Sequence, residues 1–135
     1  MSLVLIRQAL ETQLNSLTPS ISTAWENVAF TPVNNVPYQQ VNLMIADNKD
    51  VTVSDSSYVT NGLLQVLLVF PIGSGTKSAA TRADLILSTF KRGLELTAGS
   101  IKVRIHKTPV IAPAIIDGAF YKLPVSIYFN TFISL

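Results

Sequence analysis

Apolar positions recur along the chain with two different periods, and the switches between them mark out its elements. Leu3, Ile6, Leu10, Leu14 and Leu17 are spaced by three and four residues, which lines one face of an amphipathic helix. Ser2 is placed to cap that helix and Pro19 to stop it. TAWENVAF follows, a short run of strand formers that ends at Thr31 and Pro32, and then a loop, VNNVP. Residues 38–45, YQQVNLMI, alternate: Gln39, Val41, Leu43 and Ile45 share one face of a strand, and Tyr38, Gln40, Asn42 and Met44 share the other.

Residues 62–72 are apolar almost throughout, with Gln65 the one polar interruption, which predicts a central strand covered on both faces. Helical spacing returns at Ala79, Ala83, Ile86 and Phe90, with Ala80 and Leu87 widening the stripe. Lys91 and Arg92 are expected in the last turn, and Gly93 at the position just past it. Alternation closes the chain. Ile101, Val103 and Ile105 oppose Lys102, Arg104 and His106; Leu123, Val125, Ile127 and Phe129 oppose Pro124, Ser126 and Tyr128. Pro124 lacks a ladder donor, so its strand is expected at an edge or with a bulge. The polar stretch 47–62 reads as a long loop or a protruding hairpin. The order helix, strands, helix, strands predicts an α+β fold. It is one domain over residues 1–135, a single mostly antiparallel β-sheet with two α-helices packed on one face.

Composition adds a surplus to that picture. Apolar residues make up 48% of the 135 and charged residues 13%. That is more apolar than a free monomer needs, which predicts surface buried against other copies or partners. No run approaches the roughly 18 apolar residues of a membrane span, and the N-terminus lacks the form of a signal peptide, so no membrane is expected. The absence of cysteine excludes disulfides, thiolate catalysis and cysteine-based metal sites. The formal charge of +2 hides an asymmetry. Residues 1–61 carry two basic groups against five acidic ones, a balance of −3, and residues 62–135 carry eight against three, a balance of +5. Nucleic-acid contact, complementary head-to-tail assembly and a solvated face are all compatible with it.

VFPIGSGTKS, residues 69–78, has the outline of a phosphate-binding loop, an apolar strand running through glycines into a helix. The outline fails in detail. The phosphate loop needs a lysine directly after its second glycine and another glycine five residues before that one. Here Lys77 follows Thr76, and Phe70 stands five residues before Gly75. The dinucleotide pattern fails because Ser78 occupies its third glycine position. His106 has no acidic or histidine partners in sight, and Asp47, Asp50 and Asp55 lack calcium-loop spacing. Ser54, Asp55 and Ser56 form no nucleophile elbow. Catalytic, cofactor-binding and metal residues are therefore none, and no enzyme is expected. Trp25 with Phe30, and Tyr121, Tyr128 and Phe129 beside Lys102 and Arg104, offer either a base-stacking platform or interface anchors, of which the anchors are preferred. Candidate interface residues are Trp25, Phe30, Asp50, Asp55, Tyr58, Lys102, Arg104 and Tyr128.

Taken together, ALETQL, TAWENVAFTP, PYQQVNL, GLLQVLLVFPIGSG and IKVRIHKTPVIAPAIIDGAFYKLPVSIYF resemble the tail-terminator-like proteins of long-tailed bacteriophages. The likeness spans nearly the whole chain and rests on order and spacing, since none of these motifs is catalytic. SDSSYVTN, residues 54–61, departs from it, where more charge is expected before the central strand. The resemblance implies a virion protein of the tail neck, assembled in the host cytoplasm. Its implied partners are itself, as a hexameric ring; the tail tube protein; the head-tail connector; and the phage DNA that passes through the lumen without sequence recognition. No cofactor is implied. A unit of this length has a radius of gyration of about 14 Å, so six in a circle leave a duplex-sized hole. Another neck or head-completion protein is the nearest alternative, and a nucleic-acid-binding module the next.

Overall fold

The structure, a computed structural model, describes residues 2–51 and 57–133. It contains α1 (Ser2–Asn15), β1 (Ser22–Ala24), β2 (Tyr38–Asp50), β3 (Tyr58–Pro71), α2 (Lys77–Thr89), β4 (Glu95–Ala98), β5 (Ile101–Arg104), β6 (Val110–Ile111), β7 (Ile115–Asp117) and β8 (Phe120–Ile133). The strands form one curled sheet in the order β1-β2-β3-β8-β5-β4, with β6 and β7 also pairing β8. All pairs are antiparallel except β1 with β2. The fold is thus mixed and mostly β. A flat, wholly antiparallel sheet is too simple a description: β1 runs parallel, and the sheet curls so that α1 lies over β4 and β5 while α2 lies over β3 and β8.

One core joins helices and sheet. Ile6, Leu10 and Leu14 of α1 and Ala79, Ala83 and Ile86 of α2 pack with Val41, Leu64, Val66, Leu68, Val125, Ile127 and Phe129. Register explains why these strand residues meet. Val41 pairs with Val66 and Val66 with Val125, so alternate positions on three neighbouring strands point the same way. Gly62 sits in that row opposite Phe129, and its Cα faces both the phenyl ring and the Met44 carbonyl. A Cβ there would lie 2.6 Å from the Met44 oxygen and 2.9 Å from Phe129 Cζ, so no larger residue fits without a shift.

Several boundaries differ from the sequence expectation. The helix starts at Ser2 itself rather than after it, and Leu3, though on the apolar stripe, is 52% exposed in the first turn. TAWENVAF contributes only the end of β1 before the chain turns at Trp25. The stretch from 47 to 62 is a hairpin: residues 47–50 and 58–61 are paired strand, with a bulge at Ala46 between Ile45 and Asp47. α2 ends at Thr89, leaving Lys91 and Arg92 outside its last turn. Gly93, at φ +92°, serves the entry to β4, its N–H donating to the Ile105 carbonyl.

β3 is central but covered fully on one face only, because Leu63, Gln65 and Leu67 remain partly exposed. β8 is also central, so Pro124 lies neither at an edge nor at a bulge. Its carbonyl accepts from Ala112, so its missing N–H faces the same side, where the chain breaks from β6 to β7 and offers no acceptor rung. A proline is tolerated there because no ladder bond is lost. Arg82, unremarkable in the sequence, is 6% exposed, and donates from Nη1 to the Pro19 carbonyl at the turn after α1. Burial pushes its guanidinium below the ordinary arginine value.

Candidate functional site

The sequence VFPIGSGTKS does what a strand-to-helix turn must. β3 ends at Pro71, Gly73 and Gly75 take φ of +83° and +81°, and α2 begins at Lys77 with no side chain capping it. Among the described residues no group of three or more histidines, aspartates or glutamates could hold a metal. No helix there is long and apolar enough to cross a membrane. The features that stand out are surfaces, and they fall on the two flanks of the sheet.

On the first flank, β1 pairs only with residues 38–40 of β2, so the rest of the outer edge of β2 is open among the described residues. The chain leaving β1 folds over it. Trp25, Val28, Phe30 and Tyr38 line an open cleft of about 460 Å³, with the rings of Phe30 and Tyr38 at 5.0 Å and tilted by 39°. Glu26 accepts from the Leu43 N–H, taking the place of an absent strand, and pairs with Arg7 of α1 at 3.1 Å. Arg7 also reaches Glu11 at 3.2 Å. The Leu43 N–H and Arg7 together hold the Glu26 carboxylate below its usual range, against the opposing effect of partial burial. Farther along the same edge lie Asp47 and Asp50, both exposed.

The second flank is basic and aliphatic. Lys102 and Arg104 project from β5 on the solvent side, as their alternation requires. Lys107 lies 4.8 Å from the centre of the Tyr128 ring, a cation–π contact. Below them, β6 and β7 form a narrow ribbon whose Ile115 and Ile116 are 52% and 68% exposed. Lys122 and Asp117 pair across its turn at 2.9 Å, which holds the Asp117 carboxyl below its ordinary value.

Of the candidates from the sequence, Trp25 and Phe30 share the cleft, and Asp50 and Tyr58 are cross-strand partners on the hairpin. Lys102, Arg104 and Tyr128 gather on the opposite flank, whereas Asp55 lies outside the described residues. The alternative stacking platform does not form as a unit. Phe129 is fully buried, and Tyr121 and Tyr128, seven residues apart on β8, point to opposite faces. Tyr38, the Arg7–Glu26 pair and the ribbon Ile115–Ile116 escaped the sequence reading. Two adjacent isoleucines carry a visible signal, since one of any two neighbours on a strand must face away from the core.

Exposed apolar residues thus stand on both flanks, with Asp47 and Asp50 beside those of one and Lys102, Arg104 and Lys107 beside those of the other. The chain belongs to the phage tail terminator protein family, whose profile matches residues 5–129, and is a structural component of the phage tail. One solved structure superposes with a TM-score of 0.81 at 28% identity, over 97% of this chain and 96% of its own. A chain from the virion of a native gene transfer agent particle superposes at 0.60 with 12% identity, over 98% and 97% respectively, a likeness of fold. No curated protein matches the sequence.

Proposed function

We propose that the protein caps the head-proximal end of the tail tube, ends tube polymerisation and offers the joining surface to the head connector. It does so without catalysis, as a homo-oligomeric ring, a hexamer, with the genome passing through the lumen unread. The observation that carries this reading is the placement of uncovered apolar surface on both flanks of one sheet. Heterologous contacts between unlike flanks close into rings when the rotation permits, and a capping ring needs such closure.

Light scattering across a concentration series, with negative-stain imaging of the same fractions, tests the ring; incubation with purified tail tubes tests the cap. Rings seated on one end of each tube are expected. Uncapped tubes, or rings that bind connectors and ignore tube ends, would overturn the terminator role and favour another neck component. The exposed Lys102, Arg104 and Lys107 favour a second reading, a nucleic-acid-binding module. Its signature is duplex affinity that falls steeply with salt and is lost in Lys102→Glu.

A further inference from the structure

Positive charge is concentrated on one hairpin. Residues 91–107 hold Lys91, Arg92, Lys102, Arg104 and Lys107 against Glu95 alone, a balance of +4 in a chain whose formal total is +2. The rest of the chain is therefore acidic, at −2. All five cations are exposed. None has an ion-pair partner among the described residues, and Lys107 is engaged by the Tyr128 ring instead.

Strand geometry gathers them. Val103 pairs with Thr131 and Arg104 with Asn130. Alternation then sets Lys102 and Arg104 on the face of the sheet turned away from α1 and α2, together with Tyr128, Asn130 and Phe132. Lys91 and Arg92 occupy the turn before β4, and the Gly93 N–H donates to the Ile105 carbonyl, which brings that turn to the Lys107 end of β5. Phe132, 55% exposed, follows Thr131 as Lys102 precedes Val103, so these two close the face at its other end.

We infer that this face docks a carboxylate-bearing protein surface, Lys102, Arg104 and Lys107 taking its acids and Phe132 its apolar part. The inference rests on the capping reading, in which that surface belongs to the end of the tail tube. Charge complementarity asks for an anionic partner. The exposed ring asks for a protein. A duplex is held without regard to sequence through its phosphates and offers a phenyl group no cover, whereas aromatic and arginine side chains concentrate in protein interfaces. A further copy of this chain lacks the complement among its described residues. Glu11 and Glu26 are bound to Arg7 and Asp117 to Lys122, while Asp47 and Asp50, three apart on one strand, face opposite sides. Asp84 is the single acid of α2. A cap must also reach the tube end in one orientation, and a patch of one sign on one part of the subunit orients the collision before contact.

Co-sedimentation with purified tail tubes over a salt series tests this, with light scattering and circular dichroism on every variant. Lys102→Glu and Arg104→Glu are each expected to weaken tube binding by about tenfold or more and to flatten its salt dependence, with ring size and spectrum unchanged. Lys77→Glu makes the same change of net charge at the exposed start of α2 and is expected to bind as the parent does. Phe132→Ser is expected to weaken binding and leave the salt slope alone. Rings that cap tubes as tightly after both reversals would overturn the docking face and leave the cap standing. An equal loss in Lys77→Glu would assign the effect to net charge and overturn the face as well. Parent rings that ignore tubes altogether would overturn the capping reading and the face with it. Reversals that abolish ring formation would make the face a contact between copies. Reversals that abolish connector or duplex binding, with tubes still bound, would give it to that partner, and either result overturns the proposal.

Discussion

Two sets of residues alternate along β3 and meet different fates. Leu64, Val66 and Leu68 are fully buried, while Leu63, Gln65 and Leu67 are only partly covered. The same division runs along β8, where Val125, Ile127 and Phe129 are buried, Ser126 and Tyr128 are partly covered, and Phe132 is 55% exposed. The strands are the same; the difference lies in what stands opposite. The first set meets α1 and α2, so its packing is complete within one chain. The second is covered only in part within the chain, by contacts such as that of Lys107 with the Tyr128 ring. Apolar residues on the first face therefore act on folding, and those on the second act on what the folded chain can hold.

The largest test of this contrast is Phe129→Ala, expected to cost about 3–5 kcal/mol as a buried ring is lost and a cavity remains. A drop in denaturant midpoint much smaller than that would mean that the helices pack loosely over β8. Gly62→Ala probes the same row from the other direction. With backbone at 2.6 Å and the Phe129 ring at 2.9 Å from the added methyl, overpacking should cost about 1–3 kcal/mol. Equal stability to the parent would show that the two strands are free to separate. Gly73→Val separates exposure from tolerance. Nothing lies within 4 Å of its added Cβ, yet φ is +83°, so backbone strain alone should cost about 1–2 kcal/mol. The parent and variant should alike ignore ATP in calorimetry, and measurable binding by the parent would reopen the turn as a phosphate site.

Glu26→Gln is expected to cost about 1 kcal/mol, the lower range for a charge-assisted bond because a third of the side chain faces solvent. Its pH dependence carries a definite sign. The folded carboxyl binds its proton less tightly than the unfolded one, so the stabilisation is complete above the unfolded pKa. It disappears as pH falls through the lower folded value. Urea midpoints between neutral and acid pH should converge for parent and variant; parallel curves would show that Glu26 contributes no charge-linked stability. The smallest effect belongs to Phe132→Ser, expected to move folding stability by no more than about 0.5 kcal/mol. A loss comparable to that of Phe129→Ala would erase the distinction between the two faces.

Much of the fold was legible because burial on one face writes a period into the sequence. Gln39 and Val41, Ile101 and Val103, and Val125 through Phe129 sit on the faces their alternation assigns. The failures have a common cause in neighbours that the local pattern does not name. Pro124 occupies a central strand because its partner ribbon happens to break beside it. Residues 47–50, polar on both faces, extend β2 because β3 supplies a ladder that no side-chain pattern advertises. The polar loop and the polar strand look alike from sequence when neither face is buried. Arg82 was hidden by the same logic, since only the fold brings the Pro19 carbonyl within its reach. The flanks were readable as chemistry, in the charge balance and the apolar surplus, but not as geometry. That Tyr38 and Ile115 share one rung follows from three pairings across 77 residues of chain.

The Glu26 carboxylate, seated on the Leu43 N–H and held by Arg7, has a consequence for trespass. A bare strand edge invites any extended peptide to zip onto it, including misfolded copies of the same protein, and amyloid-like stacking begins with that step. Here an intruder must evict a charged group from its arginine before it can bond the main chain at Leu43. Indiscriminate strand addition is thereby discouraged at the flank that stands most open, and admission depends on fit.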